Sequence, residues 1–205
     1  SGPWGHNYSC FAKPGPQIDF LNECLKWWDK WLKNKNNGVD KDPKITAFIR
    51  KSMKPNSLGV DRPGYWIKEN SWPPKSNINK KYYLDENKLI NTKKILKNKF
   101  VNFTSPQNTG YGSGEYMPWF VAGEGPELPT DQKIDDVKSL TFDSNILKED
   151  FKILGSAQLK LKVSSNQNCG MIAARICEID KDGSSNLVTF GILNLAQRNG
   201  RNKNL

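Results

Sequence analysis

Apolar side chains recur at Phe20, Leu21, Cys24, Leu25, Trp28, Trp31 and Leu32, and this spacing constrains the chain more than any other feature. The i, i+3, i+4, i+7 series draws one apolar stripe along a helix, with Glu23, Lys26, Asp29, Lys30 and Lys33 on the other side. Asp19 stands where an N-cap belongs, and acidic residues come early and lysines late, as the helix dipole favours. Asn37-Gly38 supplies the stop. The predicted helix runs from about residue 19 to 33, and its stripe calls for a large surface to pack against. Where that partner is lacking, Trp28, Trp31 and Leu32 are expected to stand exposed.

The helical period does not return. Asp40 to Pro43 reads as a linker, and beyond it the pattern is that of strands. Segments 45–49, 64–67 and 81–84 are short β candidates, separated by the Pro-rich turn Ser71-Trp72-Pro73-Pro74. Residues 87–100 are polar and Lys-rich without a period, and residues 105–129 form a Gly-, Pro- and aromatic-rich loop suited to lining a cleft. In the last third, 139–142, 151–154 and 158–163 read as strands. Residues 171–179 and 187–193 read as a hairpin around Asp180-Lys181-Asp182-Gly183. Roughly six or seven strands with turns between them suggest a sandwich or jelly roll, which needs about eight strands. A strong strand so close to Leu205 leaves an expected open edge, so the sandwich is expected to be incomplete at that end.

Composition removes several function classes. The 205 residues include seven Trp, enough apolar material for a core, and no apolar run long enough to span a bilayer. The net charge of +10 comes mostly from scattered Lys mixed with Asn, which describes a solvated surface better than a nucleic-acid footprint. Neither nucleic acid nor membrane is therefore expected as a partner. Cys10, Cys24, Cys169 and Cys177 lack zinc-site spacing, and with a single His no metal or cofactor is expected. Asp180-Lys181-Asp182-Gly183 lacks the further acidic ligands of a calcium loop and reads as a turn. The chain opens without a signal peptide, so a cytoplasmic location is the expectation, conditional on where the natural N-terminus lies.

His6, the only histidine, stands in the loop Gly2-Pro3-Trp4-Gly5-His6 just ahead of the helix. The glycines permit a sharp turn, and Trp4 can pack to hold the loop. Such a loop can present a triad base, but a triad also needs a nucleophile. No serine satisfies G-x-S-x-G: Ser113 has Gly112 and Gly114 beside it, but Tyr111 and Glu115 occupy the outer positions. Ser156 has Leu154 two residues upstream.

The order of Gly2-Pro3-Trp4-Gly5-His6, Gly15-Pro16-Gln17-Ile18-Asp19-Phe20, Leu25 to Lys33 and Ser71-Trp72-Pro73 resembles the cocaine-esterase-like, X-prolyl dipeptidyl-peptidase-like serine hydrolases. The likeness continues through Trp66, Tyr83-Leu84, Ser105-Pro106-Gln107, Asp131-Gln132, Asp135-Asp136 and Ile153-Leu154-Gly155. It ends with Ala173-Ala174-Arg175-Ile176, Asp182-Gly183 and Gly191 to Asn194. The resemblance implies a mainly β chain. Residues 1–38 would be the last loop and helix of an α/β-hydrolase domain, and 43–205 a C-terminal jelly-roll (galactose-binding-like) β-sandwich. It carries over His6 alone as a catalytic residue, since the nucleophile, acidic partner and oxyanion donors precede this stretch in the family.

The function so implied is the C-terminal portion of a hydrolase of ester or amide bonds, acyl or X-prolyl. The partners would be a small ester, amide or short-peptide substrate and the catalytic core of the same protein, with a homo-oligomer also possible. Tyr111, Tyr116, Trp119 and Phe120 are candidates to wall the substrate pocket, although packing between domains is the stronger explanation of them. Alone, the chain is expected to be inactive. The competing reading is a non-catalytic β-sandwich that binds a carbohydrate-like ligand on exposed Trp66, Trp72 or Trp119.

Overall fold

A computed structural model describes residues 1–5, 7–57, 61–92, 100–114, 128–167 and 169–197. Helix α1 spans Phe20–Lys33, and Asp19 caps it by accepting a hydrogen bond from the Asn22 N–H at 3.1 Å. It ends at Lys33, as expected, with Asn34 taking the left-handed conformation as its C-cap, ahead of Asn37-Gly38. Asn37 instead donates its side-chain amide to the Lys26 carbonyl at 2.7 Å, satisfying an exposed acceptor of the helix. The Lys33–Asp29 and Lys35–Asp29 ion pairs, 2.9 and 2.8 Å, fasten the last turn. A 3₁₀ turn, Val39–Lys41, fills the expected linker.

The remaining ordered elements are mostly β, as expected. β1 (Ile45–Arg50) pairs antiparallel with β2 (Gly64–Glu69), Phe48 facing Trp66 across the ladder. β3 (Tyr83–Asp85) and β4 (Lys88–Ile90) form a tight hairpin whose turn residues, Glu86 and Asn87, both have positive φ. Two consecutive left-handed residues are the signature of the turn that matches strand twist. Asn87 suits that position, whereas Glu86 does not advertise it, and so the polar stretch carries no readable hairpin signal.

α2 is a single turn, Lys133–Asp136. β5 (Met171–Ile179) and β6 (Ser185–Asn194) make the long hairpin. β5 has the expected bounds, while β6 begins at Ser185 and not at residue 187. Its register shifts between Ile176 and Cys177, which face Thr189 and Leu187, so Val188 is the extra residue of a bulge. The Val188 carbonyl, released from the ladder, accepts from Arg50 Nη2 at 3.3 Å and links β6 to β1.

Three expected strands are corrected. Residues 139–142, 151–154 and 158–163 belong to no ladder; only Asp143 bridges to Lys88. Among the described residues no backbone–backbone hydrogen bond reaches any position from 144 to 165. Alternating Leu159 and Leu161 are 51 % and 45 % exposed, so the period marks a face without a strand to cover it. The described strands pair as three two-stranded antiparallel sheets, and the wider pairing of a jelly roll is not among them.

The described apolar core is small: Ala12, Ala47, Leu128 and Leu195. Polar residues occupy the most enclosed positions, with Ser113, Gln132, Asp135 and Ser185 essentially without solvent contact. The apolar face of α1 is exposed at Trp28, Trp31 and Leu32, and none of the helix's residues is buried.

Candidate functional site

His6 lies outside the described residues, but the loop on either side of it is well tied down. Trp4 donates its indole N–H to the Pro16 carbonyl at 2.8 Å, and its ring stands 6.1 Å from Trp66, which in turn meets Phe48 edge-on at 5.2 Å. Gly5 donates to the Lys13 carbonyl at 2.9 Å, and Ile18 to the Ser9 carbonyl at 3.0 Å. Gly15 bridges to Asp61, whose carboxylate occupies the space a Cβ on Gly15 would need. A side chain at Gly15 would displace the Asp61 carboxylate. The loop is docked on the β1–β2 ribbon through aromatic packing and backbone bonds together.

Of the pocket candidates, Tyr116, Trp119 and Phe120 lie outside the described residues. Tyr111 is described, and its ring is 87 % exposed. The bend that carries it relies on Gly110 and Gly114, both at positive φ, and on Gly112, whose Cβ position is filled by Ile134.

The most organised constellation is one that no sequence motif assembles. Ser113 donates its hydroxyl to the Asp135 carboxylate, and both are fully buried. Gln132 donates to the Ser113 carbonyl at 3.1 Å and to the Thr130 carbonyl at 2.9 Å, and its backbone N–H donates to the Ser185 carbonyl at 2.9 Å. From β5, Arg175 reaches Gln132 Oε1 at 2.9 Å and Asp136 Oδ1 at 2.8 Å. Asp131 accepts from the backbone N–H groups of Lys133 and Ser185, and Ser139 donates to the Asp135 carbonyl. Burial would raise the Asp135 carboxyl; the Ser113 hydroxyl, the Gly110 N–H and the charges of Lys138 and Arg175 outweigh it and hold the group below the ordinary carboxylate range.

A Ser–Asp pair buried without solvent access has no route to substrate. Ser113 is a structural donor, in agreement with its failure to meet the nucleophile pattern. The cluster ties three distant stretches together, the bend at 110–114, α2 and the β5–β6 hairpin. Its trace in the sequence is the run Asp131-Gln132 with Asp135-Asp136 and, 39 residues on, Arg175. These are polar residues with no apolar period, which is why they do not announce burial.

Among the described residues no group of three or more His, Cys, Asp or Glu is placed to hold a metal ion. In the Asp180–Ser184 turn, Asp182 pairs with Lys54 at 2.7 Å and accepts from the Ser184 hydroxyl; these contacts, Lys54 foremost, hold its carboxyl far below the usual range. All four cysteines are free. Cys177 on β5 has its thiol pushed up by burial, opposite to what a reactive nucleophile requires. No described helix is long and apolar enough to cross a membrane.

Residues 37–205 match the family described as the X-Pro dipeptidyl-peptidase C-terminal non-catalytic domain. Two proteins provisionally named serine esterases, from Mycobacterium bovis and Mycobacterium tuberculosis, are each 22 % identical over 202 residues, covering 96 % of this chain. The chain spans about 30 % of the length of these relatives. No solved structure matches it. The motifs that carry the resemblance include Gln132, Asp135, Asp136 and Arg175, the members of the buried cluster. Over most of its length the chain belongs to the family of X-Pro dipeptidyl-peptidase C-terminal non-catalytic domains.

Proposed function

We propose that the chain is the C-terminal portion of a serine hydrolase that cleaves ester or amide bonds, acyl or X-prolyl, by a Ser-His-Asp mechanism. The observation that carries this reading is the reach of the similarity. The relatives named as esterases align with 96 % of the chain, whereas the non-catalytic domain match begins at residue 37. The likeness therefore extends ahead of the accessory domain into the segment holding the opening loop and α1.

In this reading residues 1–38 close an α/β-hydrolase domain and residues 43–205 form a jelly-roll β-sandwich beside it. His6 takes the proton of a serine supplied by the preceding chain, then returns it to the leaving group. The docking of Trp4 on Trp66 supports the loop, because a base must be held within a fraction of an ångström to act. Tyr111, with its ring in solvent, is available to wall the acyl pocket or to pack between domains. A cytoplasmic location and self-association complete the reading. The carbohydrate-binding alternative is weakened at Trp66, whose ring is engaged by Trp4 and Phe48 instead of being free as a platform.

In the intact hydrolase, His6→Ala should lower kcat/KM for p-nitrophenyl esters by about a thousandfold or more. Activity kept within tenfold would remove His6 from the mechanism. The 205-residue chain alone should not hydrolyse these esters, and robust turnover by it would overturn the reading.

A further inference from the structure

Arg62 lies two residues before β2, where its backbone N–H donates to the Gly15 carbonyl at 3.3 Å. Its guanidinium is half-buried, and its Nε is shut away from solvent without a hydrogen-bond partner. No carboxylate among the described residues pairs with it: the adjacent Asp61 is turned onto Gly15. Leu58, Gly59 and Val60, which precede it, carry no acidic group. The charge that bears on Arg62 is of its own sign. Burial first, and then Arg50, disfavour its charged form.

Arg50 ends β1 opposite Gly64, so no side chain fills the cross-strand position beside it, and the Lys51 N–H to Pro63 carbonyl bond, 2.8 Å, carries the pairing on to the residue next to Arg62. Among the described residues its side chain bonds only to the bulge carbonyl of Val188, at 3.3 Å, and no acidic residue answers its charge either. Two guanidinium groups of like sign, one partly dehydrated and short of an acceptor, are a costly arrangement unless an anion joins them. A guanidinium presents paired N–H groups in a plane, which match the two oxygens of a carboxylate.

We propose that Arg50 and Arg62 together form a carboxylate-binding site at the end of the β1–β2 ribbon where residues 51–63 connect the two strands. The carboxylate is that of a small organic acid or of an Asp or Glu side chain on another polypeptide segment. The site is independent of His6 and of the hydrolase reading.

The test follows the arginine Nε–H signals of the ¹⁵N-labelled chain by NMR. Sodium acetate and a terminally blocked peptide with one Glu are titrated separately, against sodium chloride at equal ionic strength. The Arg62 Nε–H should move saturably with acetate, with the peptide, or with both, and the arm that saturates at lower concentration identifies the source. Arg62→Lys and Arg50→Gln should each weaken binding about tenfold, since each removes one fork. Arg50 is exposed, so Arg50→Gln keeps the test available if Arg62→Lys unfolds the chain. A response to chloride equal to that with both carboxylates, a drift that never saturates, or binding that survives both substitutions would overturn the proposal.

Discussion

Arg175 on β5 donates to the Asp136 carboxylate at 2.8 Å, joining the long hairpin to a single helical turn 39 residues earlier in the chain. The same guanidinium satisfies Gln132 Oε1 at 2.9 Å, and Gln132 has no solvent contact of its own. One side chain thus bonds to two others, Gln132 without solvent contact and Asp136 largely enclosed.

Arg175→Ala should therefore destabilise the chain by about 2–4 kcal/mol, because it removes the ion-pair partner of the Asp136 carboxylate and a donor to the buried Gln132 amide oxygen. The measurement is the shift in the urea midpoint at constant m-value. Arg175→Lys should recover only part of the loss, since one ammonium cannot serve both acceptors at the fork spacing.

Ser113→Ala should cost about 1–3 kcal/mol at neutral pH by leaving the buried Asp135 carboxylate short of a donor. In the native chain the Asp135 pKa is lowered, so the unfolded state binds more protons in the acidic window. The stability this confers is present above the ordinary carboxylate range and is lost as pH falls through the depressed native value. Removing the Ser113 hydroxyl raises the native pKa and shrinks this linkage. The gap in stability between the two proteins should accordingly narrow on acidification from neutrality to about pH 3. A gap that widens would show that Asp135 is not the group responsible.

Leu21 and Leu32 on α1 are 71 % and 72 % exposed. Replacing both by Gln should change the stability of this chain by less than about 0.5 kcal/mol each and reduce its binding of hydrophobic dye. A loss of about 2 kcal/mol or more per site would mean that the face is packed within the chain itself.

Much of the local structure is legible in the sequence. α1 declares itself through a single short-range period, an Asp19 cap and a matching charge gradient, all within a helix of fourteen residues and its cap. β5 does so by apolar content, and the hairpin by the turn at Asp180–Gly183, whose Gly183 takes positive φ. The β3–β4 hairpin escapes such a reading because Glu86 adopts a conformation its side chain does not favour. Of the candidate site, the order of motifs can be read, and so can the failure of Ser113 as a nucleophile.

By itself, then, the sequence determined the helix and its apolar face, the β character of the chain beyond that helix, and a Gly- and Pro-shaped loop ahead of it. These depend on interactions between near neighbours, where period and turn chemistry suffice. Only the tertiary structure decided which strands find partners, since alternation at Leu159 and Leu161 marks an apolar face but names no strand to cover it. It alone decided that Ser113, Gln132, Asp135 and Arg175 meet in one buried cluster. Hydrogen bonding across 19 to 43 residues of chain leaves no period to read, because the cost of burying each polar group is met by a partner distant in sequence.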